Sequence, residues 1–357
     1  MRFAFTEDQL AFRDAVADLL AKECPPEVVR AAWPAGTDAH GARKGEGARA
    51  DADRLAKVWS DLAEMGVLGI GVSEANGGLG MAETDWILLA EETGYAALPH
   101  PFVETACVVA PLLDDVDDPH GVLGELVDGS RQAGAIALNG SLVPWGDAVT
   151  YLVTVDRRGS DGWVVRRIEG GLAVGDTADQ RRTLADAVDA GRRVVRLGAW
   201  RSDAGFALGT IAERAFDRGA LGTAAQLVGL SRRMLDLTVA YASERKQFGV
   251  AIGSQQAVKH HLADAAMAVR FAAPVVYAAA WELATGQPTA GRTVSTAKAL
   301  ASDAARLTAR QALQCHGAIG YTVEYDLHLY LKRAEALSRT WGDASWHRRR
   351  VAAALGI

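Results

Sequence analysis

Near the middle of the 357-residue chain, Arg245, Lys246, Gln247, Phe248 and Gly249 follow one another. These side chains suit a nucleotide cofactor. An arginine can pair with a pyrophosphate through two parallel N–H bonds, and a neighbouring phenylalanine can lie against a flat heterocycle. The same residues also suit an ordinary helix C-terminus, where basic side chains favour the dipole and glycine caps. Residue types alone leave both readings open. The element that must position them is a helix: Leu227, Leu230, Met234, Leu237 and Tyr241 recur at three- and four-residue steps, so one face turns inward. Gly249 is expected to stop that helix.

The length and a hydrophobic content of 49% allow two or three packed domains. No run of eighteen apolar residues occurs, and the start reads as helix rather than as a leader, so the expectation is a soluble, cytoplasmic protein with no membrane partner. Cys24, Cys107 and Cys315 lie far apart without a CxxC pair, which predicts plain thiols and no metal site. A net charge of −6 with no basic block argues against nucleic acid as a partner.

Thr6 is a candidate N-cap for a first helix, ended by Pro25-Pro26. A short helix over 27–33, an exposed loop over 34–50 and a helix from Asp51 toward Gly66 follow. Residues 65–80 carry six glycines, enough for tight turns and close backbone approach. Further helices are expected over 81–93 and near 104–113. Between about 132 and 200 the pattern changes to short β-type runs around Ala135–Leu138, Tyr151–Val155, Trp163–Val165 and Arg193–Leu197. Helix signal then returns over 258–283, where Pro274 predicts a kink, and over 293–314. The division is an N-terminal helical domain at 1–131, a shortened β middle domain at 132–202 and a C-terminal helical bundle at 203–357.

Three stretches resemble the acyl-CoA dehydrogenase family. Arg245-Lys-Gln-Phe-Gly249 with Gln255-Gln256 and Leu262-Ala263-Asp264 is similar to its "ERxxFG…FQxxxxxLA(D/E)" block. The glycine-rich run at 65–80 resembles its "LG…G…VPE…GGxG" segment. Gln314-Cys-His-Gly-Ala-Ile-Gly-Tyr-Thr-Val-Glu-Tyr325 resembles "Q(I/V)xGGxGYxxEYP", with Ala318 replacing the second glycine. The resemblance implies a mainly α fold with a small, β-barrel-like middle domain and a C-terminal four-helix bundle. It also implies FAD as cofactor, reached in a neighbouring subunit by Arg245, Gln247, Phe248, Gln256, Gln314 and Gly317. The family's "TEPxxGSD" turn and "W(I/V)TN"-like strand are absent: after Ala137-Leu138 the chain passes through Asn139 and Trp145 straight toward the next strand.

The family abstracts an α-proton from a thioester with a carboxylate, usually in a late "YEG" motif. Counting from Gln314, the matching triplet is Thr340-Trp341-Gly342, so Trp341 takes the glutamate's place. A second branch puts its glutamate on the central helix, and the matching residue here is Gly219. Asp217, Asp343 and Glu213 are the remaining carboxylates nearby, each equally suited to a surface or capping role. No catalytic residue is therefore assigned. The resemblance implies an FAD-dependent α,β-dehydrogenase of a bulky acyl-CoA thioester, as in steroid-catabolic α₂β₂ assemblies, with this chain completing the FAD site of a full-length homologue that carries the glutamate. A homomeric enzyme with a redeployed scaffold and a structural paralogue without flavin are the alternatives.

Overall fold

The computed structural model describes residues 4–33, 46–138, 140–158, 162–169, 182–184, 187–197, 201–202 and 205–357. The first helix, α1 (Glu7–Glu23), opens on a reciprocal cap: Thr6 Oγ1 accepts from the Gln9 amide at 3.2 Å, and Gln9 Oε1 accepts from the Thr6 amide at 2.9 Å. After α2 (Pro26–Ala31), α3 (Glu46–Glu64) begins five residues ahead of the expected Asp51. Residues 34–45 of the expected loop lie outside the described residues. The glycine-rich run folds as two short 3₁₀ turns. A Cβ on Gly78 would stand 2.2 Å from the Val72 carbonyl oxygen, so only glycine permits that crossing.

Next come α4 (Glu83–Tyr95), a π-helical stretch at Val103–Val109, α5 (Ala110–Asp115) and α6 (Leu123–Val127). The middle region holds β1 (Ala133–Ala137), β2 (Leu142–Val143), β3 (Tyr151–Arg158), β4 (Gly162–Glu169), β5 (Arg182–Leu184), β6 (Val195–Leu197), β7 (Arg201–Ser202) and β8 (Ala207–Leu208). Among the described residues these form two small sheets. One runs β1-β3-β4-β7 with β8 also on β4, its β1 and β3 parallel; the other runs β2-β6-β5. Asn139 lies outside the described residues, while Trp145 is buried beneath Arg333, whose guanidinium carbon stands 5.0 Å from the ring centroid.

A 36-residue helix, α7 (Gly209–Glu244), runs from this region through the core. It meets α4 at backbone distance, because a Cβ on Gly229 would lie 1.9 Å from the Glu91 carbonyl oxygen and one on Gly94 2.2 Å from that of Gln226. Arg218 adds ion pairs of 2.9 Å to both Glu83 and Asp115, fastening α7 to the N-terminal helices. A hairpin of β9 (Lys246–Gln247) and β10 (Val250–Ala251) leads into α8 (Gln256–Ala284), followed by α9 (Ala290–His316), α10 (Leu327–Arg339) and α11 (Ala344–Leu355). α7 to α10 make the bundle, and α11 packs on α9.

α8 is long and apolar enough to cross a membrane by length and composition, yet it lies against α7 and α9. It continues through Pro274, whose ring sits on the exposed face. Met267, Phe271 and Trp281 are exposed on the same helix.

Candidate functional site

Gly249 does not end α7. The helix stops at Glu244, Arg245 takes an extended conformation at its cap, and Phe248 and Gly249 form the two-residue turn of the hairpin. Both turn residues have positive φ, 52° and 82°, which is the turn geometry that matches strand twist. Glycine adopts it freely; phenylalanine does not. Phe248 is also 98% exposed, so a strained aromatic ring is held out in solvent. The hairpin is fastened back to α7 through the Ile252 amide, which donates to the Arg245 carbonyl at 2.8 Å, and the side chains of Arg245 and Gln247 are exposed beside the turn.

One turn before the cap, Tyr241 stacks on His316 at 4.4 Å between centroids, and Tyr325 packs against both. This trio joins the end of α7 to the end of α9, where Gln314 is exposed and Gly317 turns the chain at φ 65°. Gln256 opens α8 immediately after the hairpin, also exposed. The structure thus gathers five of the six predicted cofactor residues where α7 and α9 end, with Gln256 a short turn away. His316 Nδ1 faces the Ala312 carbonyl oxygen at 2.8 Å, and burial lowers the imidazole's pKa, which leaves it a neutral packing group.

Elsewhere in the bundle, Trp341 follows the end of α10 with φ 59° and is buried. Its indole lies directly on Gly219 of α7: a Cβ there would stand 2.4 Å from the ring. Phe216 meets the same indole edge-on at 5.9 Å and stacks obliquely with Trp346 at 5.1 Å. The backbone of the turn is gripped from below. Lys298 Nζ, completely buried on α9, donates to the carbonyls of Ser338 and Gly342 at 3.1 Å each, and His347 Nε2 lies 2.9 Å from the Trp341 carbonyl. Burial drives the Lys298 pKa down to about 7 and that of His347 to about 3. A cavity of about 920 Å³ opens beside Trp341, walled in part by Ile136, Leu138, Leu142, Arg192 and Trp346.

A family model described as the acyl-CoA dehydrogenase N-terminal domain matches residues 6–116, and the corresponding C-terminal domain model matches 208–356. The chain belongs to the acyl-CoA dehydrogenase family. It is 31% identical over 352 residues to acyl-CoA dehydrogenase IpdE2 of Mycolicibacterium smegmatis, covering 98% of this chain and 99% of that protein. It is 35% identical over 312 residues to FadE34 of Mycobacterium tuberculosis, covering 85% of this chain and 42% of that longer protein. Among solved structures, a chain of the ChsE4-ChsE5 complex from Mycobacterium tuberculosis superposes with a TM-score of 0.79 at 22% identity, over 100% of this chain and 99% of the other. The Tcur3481-Tcur3483 steroid acyl-CoA dehydrogenase variant gives 0.78 at 22%, over 98% of each chain. At those identities the structural likeness speaks to the fold.

Within this acyl-CoA dehydrogenase fold, both positions where the sequence comparison looked for a glutamate, 341 and 219, are in contact with each other, one filled by the indole and the other emptied to receive it. The nearby carboxylates are engaged in other ways. Asp217 is buried against Arg350, whose Nη2 lies 3.1 Å from its Oδ2, and Glu213 accepts from the same guanidinium at 2.8 Å. Burial lifts the Asp217 carboxyl while Arg350 opposes the shift. Asp343 is exposed and caps α11, accepting from the Trp346 amide at 2.7 Å, which lowers its pKa. Lys298 and His347 were not singled out from sequence. A lysine among Val294, Ser295, Ala297, Ala301 and Ser302 on the inward stripe of α9 was the available signal.

Proposed function

We propose that this chain is the base-lacking subunit of a heteromeric, FAD-dependent acyl-CoA dehydrogenase that introduces an α,β double bond into a bulky acyl-CoA thioester in lipid or steroid catabolism. The observation that carries the reading is the Trp341–Gly219 contact, which leaves no carboxylate at either position, set against the exposed Arg245–Gly249 hairpin. FAD, when bound, supplies the acceptor for the hydride that leaves the acyl β-carbon. The residues of this chain do the holding. Arg245 offers its guanidinium to the pyrophosphate, Phe248 presents a ring to the flat part of the cofactor, and Gln247, Gln256, Gln314 and the Gly317 turn supply amide and backbone groups along its length. Their exposure fits a cofactor bound mainly by another subunit. The proton is removed by the partner, a full-length homologue with its glutamate intact. Met267, Phe271 and Trp281 on α8 add an exposed apolar stripe suited to burial in such an assembly.

The names of two structural neighbours, the ChsE4-ChsE5 complex and the Tcur3481-Tcur3483 steroid acyl-CoA dehydrogenase, support the same reading. The test is to co-purify the chain with a homologue encoded beside it that carries the glutamate, and to measure flavin per heterodimer. Loss of two charge-assisted hydrogen bonds in Arg245→Ala should weaken flavin retention by roughly a hundredfold. Equal flavin in wild type and variant, or thioester-dependent flavin bleaching by this chain purified alone, rejects the assignment.

A further inference from the structure

α8 is apolar on both of its long faces. Ala265, Val269, Ala272, Val276 and Leu283 make the buried stripe that packs inward. On the opposite side two rows repeat every seven residues: His260, Met267, Pro274 and Trp281 in one, Asp264, Phe271 and Ala278 in the other. At about 100° per residue these positions fall within an arc of about 100°, and all but the half-buried Ala278 are exposed. Met267 is 53%, Phe271 74% and Trp281 44% exposed. A helix that is apolar all round is normally covered on every side. Because α8 is held between α7 and α9, it cannot leave the bundle for a bilayer, and its cover must come to it.

The pattern of the outward face points to what that cover is. Seven-residue rows suit helix packed along helix. Set against a copy of itself, antiparallel and centred between Arg270 and Phe271, the face is complementary. Trp281 then meets His260 and Met267 meets Pro274, a larger side chain against a smaller one each time, and Arg270 lies against the Phe271 ring on both sides of the two-fold axis. Lys259 faces Glu282, and no two like charges on the face meet. In a parallel pair Lys259, Asp264 and Arg270 would each face their own like charge, which is repulsive. A face that fits itself about a two-fold makes the isologous contact of a closed dimer. The 29 residues of α8, at about 1.5 Å each and about 10 Å across, cover about 400 Å² per copy, the size of a reversible contact.

We propose that two copies of this chain pair through the outward face of α8, antiparallel and centred between Arg270 and Phe271. The contact needs neither flavin nor homologue, so it stands apart from the shared-cofactor reading. Where that reading holds as well, the contact joins two heterodimers into a tetramer through this chain and not through its partner.

Sedimentation of the full-length chain over about 1–100 µM should show a monomer–dimer equilibrium. Phe271→Asp changes an exposed side chain and sets two carboxylates against each other at the axis. It should weaken the dimer at least about tenfold while leaving helix content and flavin per heterodimer as they were. The register has its own test, because the native cysteines Cys24, Cys107 and Cys315 are buried. Under copper phenanthroline, Phe271→Cys should give a disulfide-linked dimer, while Met267→Cys, whose two copies stand about 10 Å apart along the seam, should not. A chain that stays monomeric across the range, a dimer untouched by Phe271→Asp, or equal cross-linking at the two positions overturns the proposal. So does a Phe271→Asp chain that loses the glutamate-bearing homologue while keeping the self-contact, which would assign the stripe to the partner.

Discussion

Phe248 and Trp341 are the same kind of exception in opposite settings. Each is a bulky aromatic residue in the left-handed region, at φ 52° and 59°, and each is followed by a glycine of positive φ, Gly249 and Gly342. Such backbone costs an L-residue about 1–2 kcal/mol. At Trp341 the chain itself offsets that cost: the indole is 4% exposed, it fills the hollow over Gly219, and Lys298 and His347 hold the adjoining carbonyls. At Phe248, 98% exposed, no packing of the ring among the described residues does. The difference separates a strained residue that belongs to the core from one whose ring is left in solvent, the position that a shared cofactor, as proposed above, would occupy.

The sharpest way to break this comparison is truncation at both places. Trp341→Ala should cost about 3–5 kcal/mol of stability, seen in denaturant midpoints, because a buried indole leaves a cavity that the surrounding rings fill only in part. A loss below about 1 kcal/mol would mean the indole is not packed as described. Gly219→Ala comes next, at about 1–3 kcal/mol, since its methyl would stand 2.4 Å from the indole. In the Trp341→Ala background that penalty should nearly vanish. Additive losses in the double-mutant cycle would show that the two positions do not touch.

The support beneath Trp341 should also be visible as a pH profile. Burial takes Lys298 from 10.5 to about 7 and His347 from 6.5 to about 3. Across each interval the unfolded chain binds more protons than the folded one, so stability rises with pH from about 3 to 6.5 through His347 and from about 7 to 10.5 through Lys298. Lys298→Met should flatten the upper limb and His347→Gln the lower, in unfolding series at matched ionic strength. A stability that falls between pH 7 and 9 in wild type, and does so less in Lys298→Met, contradicts the burial of the Lys298 amine described here.

Much of the architecture was legible because periodicity and punctuation act locally. The three-to-four spacing from Leu227 to Tyr241, the Thr6 cap and the β-type runs from Tyr151 and Trp163 all correspond to observed elements. The residues of the Arg245–Gly249 stretch were legible by type, but their hairpin was not: Phe248 at a turn position contradicts the usual preference for asparagine or glycine, so the glycine read as a helix stop. Lys298 was illegible for a related reason. Its partners, Ser338 and Gly342, lie some forty residues on, and nothing local marks a lysine as buried. The Trp341–Gly219 contact joins two substitutions that look separate in sequence and are one event in space.

The smallest expected effect is the most informative about Phe248. Replacing it with asparagine, which tolerates the left-handed region, removes strain and a solvent-exposed ring while leaving the two-residue turn intact. The chain alone should therefore gain up to about 1 kcal/mol. The heteromer should move the other way, holding less flavin per heterodimer at equal protein concentration. Opposite signs in the two measurements are what a residue compensated from outside must produce. A variant that destabilises the isolated chain would mean Phe248 has an internal role after all, and one that leaves flavin retention untouched would remove the ring from the shared site.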